Sequence, residues 1–352
     1  MRMLTKGHAA MAAALVVAAW PINAASARPN QPTIDQPSYW ATITHPGNEP
    51  NRYLSPGEGE QAKGRVDHEY RISKNEMVTS EWFRFVQAYK PFIAPSARLS
   101  AQFFGNSIRW TFLPGGEVDY EIVPGSENFP ASMGWRYAAR YCNWLHNGRV
   151  NEAWAFESGV YDTSTFTDNP DGTFNDQRTH SPGAKYWIPT EDEWYKAAYF
   201  DPHKNGNDQP GYWMYPTTSD TAPVGGPPGT GETNAGDGGV SAPIGSYPGT
   251  ASPWGLLDLS GNYVEWVEDA TVTNARPLPV GRNVRGTFAG WGNSAAFWDS
   301  SVARGRSQFI GDYGSTTFRI ASAVPGPGVW FGVMVQVLSL SARRDHRGAT
   351  SS

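Results

Sequence analysis

Cys142 is the only cysteine in a chain of 352 residues, so no internal disulfide can staple this fold, and its stability rests on what the chain can bury. A chain of this length has enough to bury. Hydrophobic residues make up 39% and charged residues 17%, which leaves room for a sizeable core without cross-links. The material of that core is distinctive: 15 Trp stand among 38 Gly and 28 Pro. Such a mixture describes irregular but ordered loops pinned by large rings rather than a helical bundle. The cysteine count also excludes catalysis that needs two thiols of one chain.

The first residues read as a signal peptide over 1–27. Arg2, Lys6 and His8 precede an apolar run from Ala9 to Trp20, and the small-residue site Ala25-Ser26-Ala27 follows. The run holds about a dozen residues where a bilayer span needs roughly 20, so export and cleavage are expected and the membrane is met only transiently. The net charge of -5 and the lack of a basic block exclude nucleic acid as a partner.

Residues 28–65 carry Pro, Gly, Asn and Ser without sustained periodicity and read as an irregular lead-in, with the domain proper over 66–321. Tyr70-Arg71-Ile72-Ser73 alternates like a strand, and Thr79 is placed to cap a helix bearing Trp82, Phe85, Val86 and Tyr89. A second helix is expected from Ser132 to Asn147-Gly148, with Trp135, Ala138, Cys142 and Leu145 on one inward face. The third has the clearest start, because Thr190-Glu191-Asp192-Glu193 is a capping box; its three carboxylates point in different directions and make no metal or acid/base site. Residues 216–253 must wrap over the rest, and Val284–Phe288 and Thr317–Ile320 read as strands, each with one Arg among apolar or β-branched neighbours.

Four motifs then occur in order: Asn143-Trp144-Leu145-His146-Asn147-Gly148, Trp187-Ile188-Pro189-Thr190-Glu191-Asp192-Glu193-Trp194, Gly255-Leu256-Leu257-Asp258-Leu259-Ser260-Gly261-Asn262, and Phe318-Arg319-Ile320. Together they resemble the formylglycine-generating enzyme, or sulfatase-modifying-factor, family. The resemblance implies an α+β, C-type-lectin-like fold of that family's type, with few strands and long ordered loops. In active members two cysteines after an Arg-Gly-Gly-Ser-aromatic motif bind copper, which activates oxygen to convert a substrate cysteine to formylglycine. Here the matching stretch is Arg285-Gly286-Thr287-Phe288 followed by residues 289–296, without Cys, His or Met. Copper and the formylglycine reaction are therefore not expected. Val264 replaces the Trp that usually precedes Glu-Trp, so the wall of that site differs as well.

The resemblance further implies calcium, held by Asp258, Gly261, Tyr263 and Glu265 around the turn at Ser260-Gly261. Oxygen donors of this kind suit a hard cation; the alternative is that Asp258 and Glu265 only hydrogen-bond loop amides. A second calcium position would fall near Asn234 and Asp237, where the spacing is altered. Trp291, Asn293, Trp298, Asp299 and Arg304 occupy the former cysteine region and its groove.

After the domain, residues 322–352 look like a degenerate sorting tail of the PEP-CTERM type: Val324-Pro325-Gly326-Pro327-Gly328, an apolar stretch from Val329 to Leu340, and Arg343, Arg344 and Arg347. A disordered end or an edge strand is the other reading of this segment. The tail and the signal together point to the surface or extracellular matrix of a Gram-negative-type bacterium, with the periplasm as the alternative. The expectation is thus a non-catalytic binding or structural module whose partners are polysaccharide or cell-surface proteins. The rival is an enzyme of the same superfamily with unassigned chemistry, using carboxylates or Arg304 and Arg306.

Overall fold

The computed structural model describes residues 33–325 apart from 56–58, 237–240, 274–275, 290–294, 304–305 and 309–313. The expected signal peptide and most of the expected sorting tail lie outside the described residues. In chain order the elements are β1 (Trp40–Ile43), β2 (Asn51–Ser55), β3 (Gly59–Lys63), β4 (Tyr70–Ser73), α1 (Thr79–Tyr89), α2 (Ala101–Phe104), β5 (Ile108–Phe112), β6 (Val118–Ile122), α3 (Trp135–His146), α4 (Ala153–Glu157), β7 (Tyr186–Trp187), α5 (Glu191–Tyr199), β8 (Phe200–Asp201), β9 (Gly211–Tyr212), β10 (Val264–Thr273), β11 (Arg276–Arg285), α6 (Ala295–Trp298), β12 (Arg306–Gln308), β13 (Thr316–Phe318) and β14 (Ala321–Ala323).

Two four-stranded sheets organise them, one in the order β1-β4-β14-β7 and one in the order β12-β11-β10-β13. Three hairpins, β2–β3, β5–β6 and β8–β9, stand beside them. The architecture is α+β with long ordered loops, as the resemblance implied. No helix among the described residues is long and apolar enough to cross a membrane.

The rings hold the loops by a repeated device. Trp82, Trp135, Trp194 and Trp266 are all fully buried, and a buried indole N–H must find an acceptor. Trp82 donates to Phe103 O at 3.1 Å, Trp135 to Val267 O at 3.2 Å and Trp266 to Met133 O at 2.9 Å. Trp82, Trp135 and Trp266 therefore supply core volume and also fix one distant backbone carbonyl each, while Trp194 donates to the Glu265 carboxylate. Irregular backbone can stay ordered on such anchors without belonging to a ladder.

Each expected helix is present. On α1, Trp82, Phe85, Val86 and Tyr89 are buried. Thr79 does not cap it: the N-cap is Val78, and the Thr79 hydroxyl instead donates to Phe129 O at 2.9 Å. Helix α3 stops where expected, with Asn147 as C-cap and Gly148 at φ 73°, while Gly148 N–H bonds Leu145 O and Arg149 N–H bonds Trp144 O. The capping box of α5 is complete, Thr190 bonding Glu193 N–H and Glu193 bonding Thr190 N–H.

The lead-in differs from expectation. Strand β1 pairs antiparallel with β4, from Trp40 opposite Ser73 to Ile43 opposite Tyr70, so part of 28–65 belongs to a central sheet. With only four residues and a partner beyond an intervening hairpin, β1 is too short to show a period of its own.

Candidate functional site

The turn after Leu257 is built from residues that tolerate left-handed backbone. Asp258, Gly261 and Asn262 have φ of 59°, 90° and 50°. Gly261 is needed for space as well as for φ: a Cβ there would lie 2.1 Å from Asn234 Oδ1 and 2.7 Å from Thr233 Oγ1. The Asn234 carbonyl accepts Asn262 N–H at 2.7 Å, and Asn234 Nδ2 donates to Asn262 Oδ1 at 2.9 Å. Asn262 in turn donates to Glu76 Oε2 at 3.1 Å, and Tyr263 N–H donates to Glu76 Oε1 at 3.2 Å. Gly261→Ala is expected to destabilise the domain by about 2 kcal/mol, read as a lower midpoint in urea melts at unchanged slope. A neutral result would mean that the 233–235 loop yields freely.

Four residues of this turn were expected to hold calcium, and its two carboxylates are hydrogen-bonded within the fold. Glu265 is buried, and both of its oxygens are taken: Arg319 Nε donates to them at 3.0 and 2.9 Å, and Trp194 Nε1 donates to Oε2 at 2.7 Å. Asp258 Oδ2 accepts Gly245 N–H at 2.6 Å. Gly261 and Tyr263 would contribute backbone carbonyls, and the Tyr263 N–H is directed at Glu76. Among the described residues no group of three His, Cys, Asp or Glu side chains is placed to hold a metal ion. Burial and the neighbouring Glu265 and Asp258 carboxylates push the Glu76 pKa well above the carboxylate range. Glu76 is a member of this cluster that the sequence reading missed; no local motif surrounds it.

In the former cysteine region, Trp291, Asn293 and Arg304 lie outside the described residues. Asp299 is fully buried, accepting from Ser260 Oγ at 2.5 Å and from the Thr287 hydroxyl. The carboxylate thus ties the Asp258–Glu265 turn to the strand end that carries Arg285-Gly286-Thr287. Trp298 is half-buried and meets Phe297 edge to face at 4.8 Å, and Phe297 is 49% exposed. Cys142 is fully buried on α3, and burial pushes its thiol pKa well up.

The carboxylates of the second motif, at the start of α5, are engaged as well. Glu191 pairs with Arg285 at 2.7 Å and with Lys63 at 2.7 Å, and Asp192 accepts Gly64 N–H at 2.7 Å. Elsewhere, buried Glu268 accepts from Tyr161 OH at 2.7 Å, from His180 N–H at 2.7 Å and from the His180 ring at 2.9 Å. A cleft of about 600 Å³ opens between residues 45–51 and the β8–β9 connection. Phe200 and Tyr212 lie inside it, while His45, Glu49 and Asp208 stand at its exposed edge. Buried Lys196 braces it by donating to His45 O at 2.8 Å, with an amine pushed down by burial to about 8.

The arrangement can bind and brace, and the Asp299 carboxylate with the Ser260 and Thr287 hydroxyls forms a buried oxygen cluster beside it. Among solved structures, a crystal structure of CarF aligns at 15% identity over 81% of this chain and 98% of that one, with a TM-score of 0.47. The Treponema denticola variable protein 1 aligns at 19% identity over 81% and 95%, also at 0.47. No curated protein matches the sequence. The sulfatase-modifying factor enzyme 1-like domain matches residues 41–323, which take in both central sheets, the Asp258–Glu265 turn and the former cysteine region. The chain therefore belongs to the sulfatase-modifying-factor family, with its C-type-lectin-like fold, and departs from the active members at the copper-binding cysteine pair.

Proposed function

We propose that this chain is an exported, non-catalytic sulfatase-modifying-factor domain that works as a binding or structural module at the cell surface or in the extracellular matrix. The observation that carries the reading is the missing thiol pair. The stretch after Arg285-Gly286-Thr287 carries no cysteine where active members bring copper to two thiolates, and the one thiol of the chain is sealed in the core. Soft metal needs soft donors, so the formylglycine reaction has no foothold. Polysaccharide or surface proteins are the partners this reading assigns. The exposed Phe297 ring, beside half-buried Trp298, can stack on a sugar face, and the cleft edged by His45, Glu49 and Asp208 offers a second concave surface.

A glycan-array screen, paired with binding to surface extracts, tests it. Phe297→Ala is expected to weaken the selected ligand about tenfold, or ~1.4 kcal/mol, without shifting Tm. His45→Ala reports in the same way on the cleft. If neither glycans nor extracts bind, the reading fails. Tight copper(I) binding with oxygen uptake on a cysteine-containing peptide would restore the catalytic one.

A further inference from the structure

We propose that the cavity between α2, the start of α3 and the loop through Phe166 and Asp168 binds a single neutral sugar unit. Gln102, Arg136, Tyr137, Arg140, Phe166 and Asp168 line it, around a volume of about 380 Å³. Small-molecule clefts run from roughly 300 to 1,000 Å³, so this one is at the small end and takes a unit rather than a length of chain.

The charges decide the class of ligand. Two arginines in a cavity would suggest an anion, but both are already neutralised. Arg136 donates to Asp176 at 2.9 Å through Nε and at 2.7 Å through Nη2, and to Asp168 at 2.8 and 3.1 Å. Arg140 pairs with Glu157 at 3.2 Å, and its Nη1 donates to Arg136 O at 3.3 Å. Three carboxylates thus face two guanidiniums, which leaves no positive field for a phosphate, sulfate or uronate. A cation fares no better, since Asp168, the most exposed of the three acids, is held by Arg136.

What remains suits a polyol. Among the described residues neither the Gln102 amide nor the Tyr137 hydroxyl has a hydrogen-bond partner, and each can both donate and accept, as a sugar hydroxyl does. The Asp168 side chain is 67% exposed and keeps lone pairs beyond those that Arg136 takes. Phe166 and Tyr137 supply apolar walls for the C–H side of a sugar ring. The planar groups are also set before a ligand arrives. Asp176, fully buried, fixes Arg136, while both guanidiniums lie against Phe166, 5.7 and 5.3 Å from its ring centre. Binding therefore orders little that is not already ordered. The proposal rests on the polysaccharide reading above for the kind of partner, and its cavity shares no lining residue with the His45 cleft.

Titrating the full chain with neutral monosaccharides, glucuronate and sulfate, followed by saturation-transfer NMR and calorimetry, tests it. A neutral sugar is expected to bind, and both anions more weakly. Gln102→Ala and Tyr137→Phe each remove a hydrogen-bonding group and are expected to weaken that sugar about fivefold at unchanged Tm. Phe297→Ala and His45→Ala should leave its affinity as it is. A sugar whose affinity ignores both cavity variants overturns the inference and leaves the binding module standing. Glucuronate or sulfate bound more tightly than every neutral sugar also overturns it. If no neutral sugar binds, the inference fails, and the array and the surface extracts still decide the broader reading.

Discussion

Replacing Asn143 by Leu is expected to lower the stability of this domain by at least about 4 kcal/mol, although the two side chains are close in size. Asn143 is fully buried on α3 and spends every hydrogen-bonding atom it needs on one loop. Its Nδ2 donates to Phe156 O at 2.9 Å and to Tyr161 O at 2.8 Å, while Oδ1 accepts Val160 N–H at 2.9 Å and Tyr161 N–H at 2.8 Å. Leucine would fill the volume and abandon four backbone groups at once. Phe156, Val160 and Tyr161 are themselves buried, so water does not replace what is lost, and each orphaned group costs about 1–3 kcal/mol. The consequence should spread, because Tyr161 carries its hydroxyl to Glu268 and accepts Ile188 N–H. Urea melts at constant slope would measure it. A loss below about 1 kcal/mol would mean that the loop is held by other contacts and that Asn143 merely fits among them.

That residue also marks how far the sequence could be read. The face of α3 was legible from Trp135, Ala138, Cys142 and Leu145, because helical spacing is local. Asn143 lies beside that face, and nothing local says that its amide latches a loop formed later in the chain. The same division holds at α5, whose capping box is written in four consecutive residues, whereas the partners of Glu191 come from β3 and β11. Strand β10 was not read at all, since its Glu265, Glu268 and Asp269 mask the apolar pattern. Glu265 and Glu268 are inward-facing charges, each explained only by a distant donor. The lone arginines of the two expected strands, Arg285 and Arg319, were visible as exceptions to strand chemistry. Their roles became clear only once the buried acids opposite them were in place.

Glu191→Gln tests that last point in the most demanding way. Arg285 is 4% exposed in its side chain, so removing the carboxylate opposite it leaves a buried guanidinium with its charge uncompensated, and breaking such a pair costs about 3–5 kcal/mol. Burial alone would raise the pKa of Glu191, but Arg285 and Lys63 outweigh it and hold the carboxyl down at about 2. A depressed carboxylate contributes stability that is complete above its unfolded value near 4.5 and is lost as pH falls through the folded value near 2. The gap between wild type and Glu191→Gln should therefore be full at pH 7, shrink through this window and close below it, where wild-type Glu191 is as neutral as glutamine. Asp269, which accepts Glu191 N–H at 2.5 Å, works in the opposite sense. Burial, the largest influence, raises it to about 6, so its ionisation costs stability as pH rises from its unfolded value near 3.8 through 6. Wild-type stability alone would mix the two carboxyls, and the difference between the two proteins at each pH is the quantity to follow. A difference that stays constant from pH 7 to pH 2 would show that Glu191 acts through packing and not through its charge.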